Sequence, residues 1–571
     1  MCGIYCCFSK TDHECLCLGK DLIDILQNRG PNSKSIVTIG EITFGGFVLH
    51  QQGIQMCPQP IKSDRHVLIF NGDIFNLPIT DCGISDTQWL FSKLSKMKDE
   101  NELISCFKTI EGPFSFVFFD KLRKCIYFGR DSLGRNSLLL ENNKKHLRIL
   151  STSCISQDMR TEIDIVTTEI PPLGIYKINN DDCSSCVVFP WQRPDKNWKT
   201  QANVLESTIG LTILTEYSIE PSWLFHGTIH NKFSFDFYNL FVGNNLDTAE
   251  IYEILLQNCE VLKALDNFAN LLEYSVKQRV SKTTTYCAKC FPNSMDCGHS
   301  KIAILFSGGI DCTILAFMAN KFVNKAEPID LINVSFEATN SNVVNWNVPD
   351  RQSAVCSLET LKILCPDRKW NFIEVNVTRN ELYTQLSSCI KHLIYPLTTV
   401  LDESIGCAFW FASRGKGLLC GEIYESTAKV VLVGSGADEL FGGYVRHKNA
   451  YNRCNGSLEE KEKCLLTELE KDWQRIPTRN LARDDRVISD SGRTPRAPFI
   501  EENVVKFVRS LKPCQRCCFL YEDGVGDKLF LRLFGYRLGL KGTSFLKKRA
   551  IQFGSKIANK KDSANDRSKY L

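Results

Sequence analysis

Residues Phe306 to Cys312 read FSGGIDC, set between an apolar run at Ile302–Leu305 and a second from Thr313 to Ala319. Adjacent glycines let a chain turn tightly and bring backbone N–H groups against phosphate oxygens, and the N-terminus of a following helix adds positive field. Ser307, Gly308 and Gly309 are therefore candidate phosphate contacts, and Asp311 offers a hard oxygen to Mg²⁺. No lysine follows the glycines as GxxxxGK[ST] requires, which disfavours kinase or GTPase chemistry and leaves cleavage of ATP to AMP and pyrophosphate. Lys429 to Tyr444, KVVLVGSGADELFGGY, repeats the pattern of a buried strand entering a glycine turn. Gly434 and Gly436 line up as further nucleotide contacts there, with Asp438 and Glu439 as paired carboxylates. Ligands of an open parallel sheet collect at the carboxyl ends of its strands, so Asp311 and Asp438 are expected to share one Mg²⁺. Helix capping is the plainer role for Asp438 and Glu439.

The chain starts MCGIYCC. Removal of Met1 would leave Cys2 with a free α-amine, of reference pKa about 8, beside its own thiol, the pairing an N-terminal nucleophile needs. An ordinary buried thiol is the alternative.

Downstream stand RGPN at Arg29–Asn32, NGDIFN at Asn71–Asn76, SDT at Ser85–Thr87 and GRDSLGRNSLL at Gly129–Leu139. With Cys2, these resemble the class II glutamine amidotransferase domain across about the first 190 residues. The FSGGIDC and GSGADELFGGY segments resemble the synthetase domain of glutamine-hydrolysing asparagine synthetases. So do DESIGCAFWFASRG (Asp402–Gly415), RDDRVISDSGRTPRAPFIEENVV (Arg483–Val505) and KKRAIQFGSKI (Lys547–Ile557). The resemblance covers most of the chain. It implies an N-terminal Ntn-hydrolase αββα sandwich over residues 1–190 and a parallel-sheet α/β (PP-loop, HUP-like) synthetase domain over 249–555. The polar, aromatic mixture of 191–248 reads as a variable connection, and 556–571 as a polar tail.

The resemblance also implies roles. Cys2 would attack the glutamine side-chain amide, the Asn71 amide and the Gly72 N–H would stabilise the oxyanion, and Asp73 and Asp86 would hold the substrate ammonium. ATP and Mg²⁺ would bind at Ser307, Gly308, Gly309, Asp311, Gly434, Gly436 and Asp438. Aspartate would be adenylated, and ammonia arriving through an internal passage would displace AMP.

Departures from the family pattern fall at reactive positions. Val48 stands where an arginine binds the glutamine α-carboxylate, a lost charge-assisted bond costing about 1.5–3 kcal/mol. Asp73 replaces a glutamate, one methylene shorter, and Cys312 replaces a serine. Ser435 stands where a glutamate serves as base for the incoming ammonia, and a serine cannot take that role. Ala550 occupies the place of a catalytic lysine, leaving Lys548 or Arg549 to reach the site. Two readings follow: a glutamine- or ammonia-dependent amidoligase, or a catalytically impaired nucleotide-binding or regulatory relative.

Composition sets outer bounds. A net charge of +4 over 571 residues is too balanced for a nucleic-acid binder. No window of about 18 uninterrupted apolar residues predicts a membrane span, and the start lacks the pattern of a signal peptide. Twenty-seven cysteines, an odd number without an export signal, read as reduced thiols in a cytoplasmic protein. Cys287, Cys290, Cys297 and His299 form C-x2-C-x6-C-x-H, a spacing able to make a tetrahedral zinc site. A cysteine-rich loop without metal is the other reading. Cys183 with Cys186, and Cys514 with Cys517, are lone pairs with a weaker signal. A homo-oligomer remains compatible with the sequence.

These residues need elements to hold them. Short apolar runs at Ile36–Ile39, Ile42–Leu49, Val67–Phe70, Phe114–Phe119 and Cys125–Phe128 predict strands, with a hairpin turn at Asp120–Lys124. Leu22–Gln27 and Asp86–Leu94 read as outer helices. Leucines at helical spacing between Ala249 and Val280 predict a packing helix. Ile302–Phe306, Leu331–Phe336, Phe372–Val377 and Val430–Val433, alternating with helical stretches, predict the parallel sheet.

Overall fold

A computed structural model describes the chain except residues 10–17, 79–82, 144–145, 155–164, 181, 225–231, 293–296, 339–343 and 559–562. Alternating and continuous apolar runs in the N-terminal part form two stacked sheets. The first contains β1 (Gly3–Ser9), β2 (Ser33–Ile39), β3 (Ile42–Val48), β8 (Leu139–Asn142), β9 (His146–Leu150) and β10 (Val166–Glu169), in the order β10-β8-β9-β1-β3-β2. The second contains β4 (Ile61–Lys62), β5 (His66–Gly72), β6 (Phe114–Asp120), β7 (Cys125–Arg130), β11 (Gly174–Asn179), β12 (Asp182–Pro190) and β13 (Thr212–Thr215), in the order β13-β12-β11-β7-β6-β5-β4. Among the described residues of these two sheets only β12 and β13 pair in parallel; the expected hairpin is β6–β7.

Side chains alternate across each strand, so each sheet has two apolar faces to cover. Ile4, Cys6, Phe44, Ile69, Val117 and Phe128 fill the space between the sheets. The helix Lys20–Arg29 covers Tyr5 and Phe47 on the outside of the first sheet, and Leu90, Leu94, Ile104 and Phe107 cover the outside of the second. This is the αββα sandwich.

The second part holds β14 (Ile302–Leu305), β15 (Ile329–Phe336), β16 (Trp370–Val377), β17 (Lys416–Leu419), β18 (Glu422–Glu425), β19 (Val430–Leu432) and β20 (Thr494–Arg496), ordered β18-β17-β16-β15-β14-β19-β20. β16 through β20 by way of β15, β14 and β19 run parallel, while β17 and β18 add an antiparallel edge. Strand order reverses beside β14, the first strand of the sheet, and the crevice opens between the ends of β14 and β19. The expected packing helix spans Cys259–Ser281 and buries Leu265, Phe268, Leu272 and Val276.

Within residues 191–248, read as a variable connection, the described residues carry ordered elements: the helix Lys196–Ile209 buries Trp198 and Leu205 in the first core, and β13 extends its second sheet. Phe235, Phe237 and Tyr238 enter the second core. At 563–571 the polar tail is tied to the second part: Val400 and Leu401 donate to the carbonyls of Asp566 and Ala564, and Ser568 donates to Thr398. Its backbone groups find partners despite a polar sequence, because the partners are main-chain atoms that hydropathy does not register.

Buried charges tie the two parts together. Arg29 pairs with Asp485 at 3.0 Å, Arg135 with Glu502 at 2.6 Å, and Arg486 reaches Glu169. Each pair joins one sheet system to the other.

Candidate active site

The parallel sheet builds the larger site. β14 ends at Leu305, and the chain turns through Ser307, Gly308 and Gly309 into the helix Ile310–Ala319, whose N-cap is Gly309. Gly308 has φ +77°, and a Cβ there would lie 2.3 Å from the backbone of Ser353 and Ala354. Only glycine fits so close a passage in a left-handed conformation. The Ser357 hydroxyl donates to the Gly308 carbonyl at 2.7 Å, and Ser307 and Gly309 line the cavity.

β19 ends beside this turn, and Gly434 packs against Asp311, where an added Cβ would sit 3.1 Å from the aspartate Cβ. Gly436, at φ +95°, opens the short helix Ala437–Phe441. Asp438 and Glu439 occupy its first turn, where the Glu439 carboxylate accepts from its own backbone N–H. Asp438 meets Lys528 at 2.6 Å and also Lys548; Glu439 accepts from the Tyr444 hydroxyl at 2.7 Å and the Asn480 amide at 2.8 Å.

Asp311 and Asp438 therefore converge on one cation. Lys528 Nζ lies 2.7 Å from Asp311 Oδ2 and 2.6 Å from Asp438 Oδ1, the latter without the angle of a hydrogen bond. Two carboxylates facing one point, at the mouth of a phosphate-type turn, suit a hard divalent cation such as Mg²⁺. Desolvation would raise the Asp438 carboxyl, but Lys528 and Lys548 outweigh it and hold the group well below the usual carboxylate range. Glu439 moves the other way: burial, then the neighbouring Asp438 charge, pushes it up to about 7. Asp350, also in the wall, is raised to about 7 by burial. The cavity, about 310 Å³, is further lined by Arg446, Arg475, Arg479, Arg483 and Arg549.

Ser435 hydrogen-bonds Asp484, which Arg483 grips at 2.7 and 3.0 Å. A carboxylate is thus present near position 435, supplied by the helix Ala482–Ser489. Lys548 reaches Asp438, as the sequence allowed; Ala550 only lines the wall.

The second site lies at the edge of β1 and β5. Cys2 precedes β1, and Gln59 donates Nε2 toward its Sγ at 3.8 Å while also bonding both backbone groups of Phe70. Asn71 and Gly72 close β5; Asn71 is fully buried, donates to Ser115 at 3.4 Å, and leaves its Oδ1 without a hydrogen-bond partner. Asp86 opens the helix Asp86–Leu94 and faces the Cys2 cavity, where burial and then the Asp73 charge raise it to about 7. Asp73 does not face that cavity. Its carboxylate is filled by Arg496 and by the Gln52 amide at 2.8 Å. Val48 lines the wall, and the space beside Cys2 is about 30 Å³. The buried Met1 side chain lines the same space; its amine meets Thr494 at 3.1 Å and is lowered to about 5 by burial.

The four residues Cys287, Cys290, Cys297 and His299 come together outside both sites. Cys186 and the pair Cys514 and Cys517 are buried free thiols, and every cysteine whose side chain is described is unbridged; the Cys183 side chain lies outside the described residues. Sequence reasoning missed Lys528, Asp350, Arg496 and Gln59. Lys528 has a left-handed backbone at φ +54° and Gln59 precedes a cis proline, both invisible without coordinates.

Similarity to known proteins agrees with this division. A glutamine amidotransferase domain family matches residues 1–165, and an asparagine synthase family matches residues 297–521. The asparagine synthetase domain-containing protein CG17486 of Drosophila melanogaster is 46% identical, with all of both chains covered. The chain belongs to the asparagine synthetase domain-containing protein family. The human asparagine synthetase domain-containing protein 1 is 33% identical over 98% of this chain and 95% of its own, and the Saccharomyces cerevisiae relative YML096W is 30% identical over 94% and 88%. Among the described residues no helix is long and apolar enough to cross a membrane.

Proposed function

We propose that this member of the family is an ATP-dependent carbon–nitrogen ligase that activates a carboxylic acid, aspartate in the family pattern, and passes it to ammonia. The observation that carries the reading is the convergence of Asp311 and Asp438 on one cation beside the Ser307–Gly309 turn. ATP would lay its phosphates on the N–H groups of that turn, with Lys548 and Arg549 as counter-charges and Asp311 and Asp438 holding Mg²⁺. The bound metal would neutralise phosphate charge. The substrate carboxylate oxygen attacks the α-phosphorus and pyrophosphate leaves; ammonia then adds to the acyl carbon and AMP leaves. Glu439, with a pKa near neutrality and its Oε1 held by Tyr444 and Asn480, is the group suited to take the proton released as the amide forms. That assigns the base to a residue four places from Ser435.

With Met1 removed, Cys2 would gain both its α-amine and the room that the methionine side chain takes. Asp86 is then the acid left to meet a substrate ammonium. The domain limits read from the sequence, with residues 191–215 added to the first part, and a reducing cytoplasmic setting belong to the same proposal. The test supplies purified protein with ATP, Mg²⁺ and aspartate, with glutamine or ammonium, and follows pyrophosphate and asparagine. Pyrophosphate and asparagine together support the reading; absence of pyrophosphate with every nitrogen source would sink it.

A second reading has its own observation. Asp73 is spent on Arg496, and Val48 leaves the glutamine α-carboxylate without a cation, so the Cys2 site fits a domain that has lost glutamine turnover. Asparagine formed from ammonium but not from glutamine would favour it.

A further inference from the structure

Between the long helix Cys259–Ser281 and β14 the described residues, 282–292 and 297–301, form no strand or helix, yet they are held in one place. The Ala288 N–H donates to Thr427 at 3.0 Å, and the Thr427 hydroxyl returns to Ser300 at 2.8 Å. Tyr286 and Phe291 place their rings 4.8 and 5.7 Å from the Lys429 ammonium. Something other than a backbone ladder must fix this segment, because irregular chain gains little from local structure and loses conformational entropy on ordering.

Four donor atoms in it converge. The sulfurs of Cys287, Cys290 and Cys297 and a ring nitrogen of His299 all lie within 4.8 Å of one another. His299 Nδ1 is 3.6 Å from Cys287 Sγ and 3.3 Å from Cys290 Sγ. Tetrahedral zinc, with Zn–S near 2.3 Å and Zn–N near 2.0–2.1 Å, places sulfur and nitrogen about 3.6 Å apart and two sulfurs about 3.8 Å apart. The donors need to close by about an ångström at most.

We propose that Cys287, Cys290, Cys297 and His299 bind one structural Zn²⁺. Three thiolates and an imidazole suit zinc over magnesium or calcium, which take oxygen donors. The N–H groups of Lys289 and Cys290 point at the buried Cys287 sulfur, as donors to a metal-bound thiolate do. Four protein ligands leave no open position, which makes the site structural rather than catalytic.

The site stands at the junction of the two parts. Lys429, flanked by the rings of Tyr286 and Phe291, donates to the His50 carbonyl and to Thr284 at 3.0 Å. Gln51 donates to the Lys429 carbonyl at 3.1 Å, and His50 and Gln51 both line the Cys2 cavity. Zinc would hold the segment that positions that wall, while the nucleotide cavity is lined by none of these four residues.

The test uses the full chain, produced with zinc in the medium, kept reduced and passed over a chelating resin before elemental analysis. About one zinc per chain is expected. Cys290→Ser and His299→Ala, both near the surface, should lower zinc at least tenfold, whereas Cys259→Ser, an exposed cysteine elsewhere, should retain it. Co²⁺ added to chelator-stripped wild-type protein should give the visible absorption of a tetrahedral thiolate site, and Zn²⁺ should abolish it stoichiometrically. That titration decides the matter even where a variant fails to fold. Protein without metal that also takes up no cobalt, iron with the colour of an iron–sulfur cluster, a Cys287–Cys290 disulfide in the reduced preparation, or full zinc retention in both variants would each overturn the proposal.

Discussion

Arg496 grips Asp73 across the boundary between the two halves, Nε to Oδ2 at 2.8 Å and Nη2 to Oδ1 at 2.7 Å, with both side chains at most 1% exposed. A carboxylate that the amidotransferase pattern assigns to substrate is here a structural counter-charge for the synthetase half. Arg496 ends β20 and also donates to the carbonyls of Arg279 and Lys282, so it anchors the long helix as well.

Removing one partner strands the other. Asp73→Ala should destabilise the protein by about 3–5 kcal/mol, because the guanidinium stays buried without its anion. The double variant Asp73→Asn with Arg496→Met should recover a large part of the loss. Denaturant melts of Asp73→Asn, Arg496→Met and the double variant measure this, and a double-variant loss equal to the sum of the two single losses would show that the pair carries no coupling.

Glu439 gives the stability a pH signature. Its folded pKa of about 7 lies above the ordinary glutamate value of 4.5, so the folded state holds its proton more tightly than the unfolded chain does. Stability from this group is complete below about pH 4.5 and declines as pH rises toward 7, by about 3 kcal/mol. Glu439→Gln keeps an oxygen for Tyr444 and Asn480 and should remove that decline. Urea titrations at pH 5 and pH 7 compare the two; parallel pH dependence in variant and wild type would refute the assignment.

Gly308→Ala tests the turn. The new Cβ would meet the Ser353–Ala354 backbone at 2.3 Å in a left-handed conformation, so the turn must move. A cost of about 1–3 kcal/mol and at least about tenfold weaker ATP binding are expected. Gly542→Ala, with open space around it, is the control; calorimetry with ATP and Mg²⁺ reads both.

The sequence makes the local chemistry legible and the long-range chemistry not. FSGGIDC announces its strand, turn and helix because glycine requirements and apolar runs are local properties, and the β6–β7 hairpin is readable for the same reason. Lys528 lies 217 residues from Asp311, and Arg496 lies 423 from Asp73, so no window contains either pair. The loss of a glutamate at Ser435 reads as a loss of function until Asp484 is seen beside it. Residues 191–215 look featureless because Trp198 and Leu205 are spaced on one helix face whose partner sheet lies earlier in the chain.

Asp438 separates metal binding from phosphate binding. Its carboxylate is held ionised by two lysines, and one of them, Lys528, also occupies Asp311. A cation that enters between the aspartates must displace the Lys528 ammonium from them, and that ammonium can then turn to a phosphate oxygen. Asp438→Asn keeps the shape but removes the charge, so the Mg²⁺-dependent part of ATP affinity should fall at least about tenfold, or about 1.4 kcal/mol. Affinity without Mg²⁺ should rise or stay level, since one repelling carboxylate is gone. Lys548→Met should instead weaken binding with and without the metal, because the proposed site uses that side chain as a fixed charge toward the phosphates. Calorimetric titration with ATP, in Mg²⁺ and in a chelator, distinguishes the two patterns; an Asp438→Asn protein whose affinity falls equally in both conditions would remove the metal from this carboxylate.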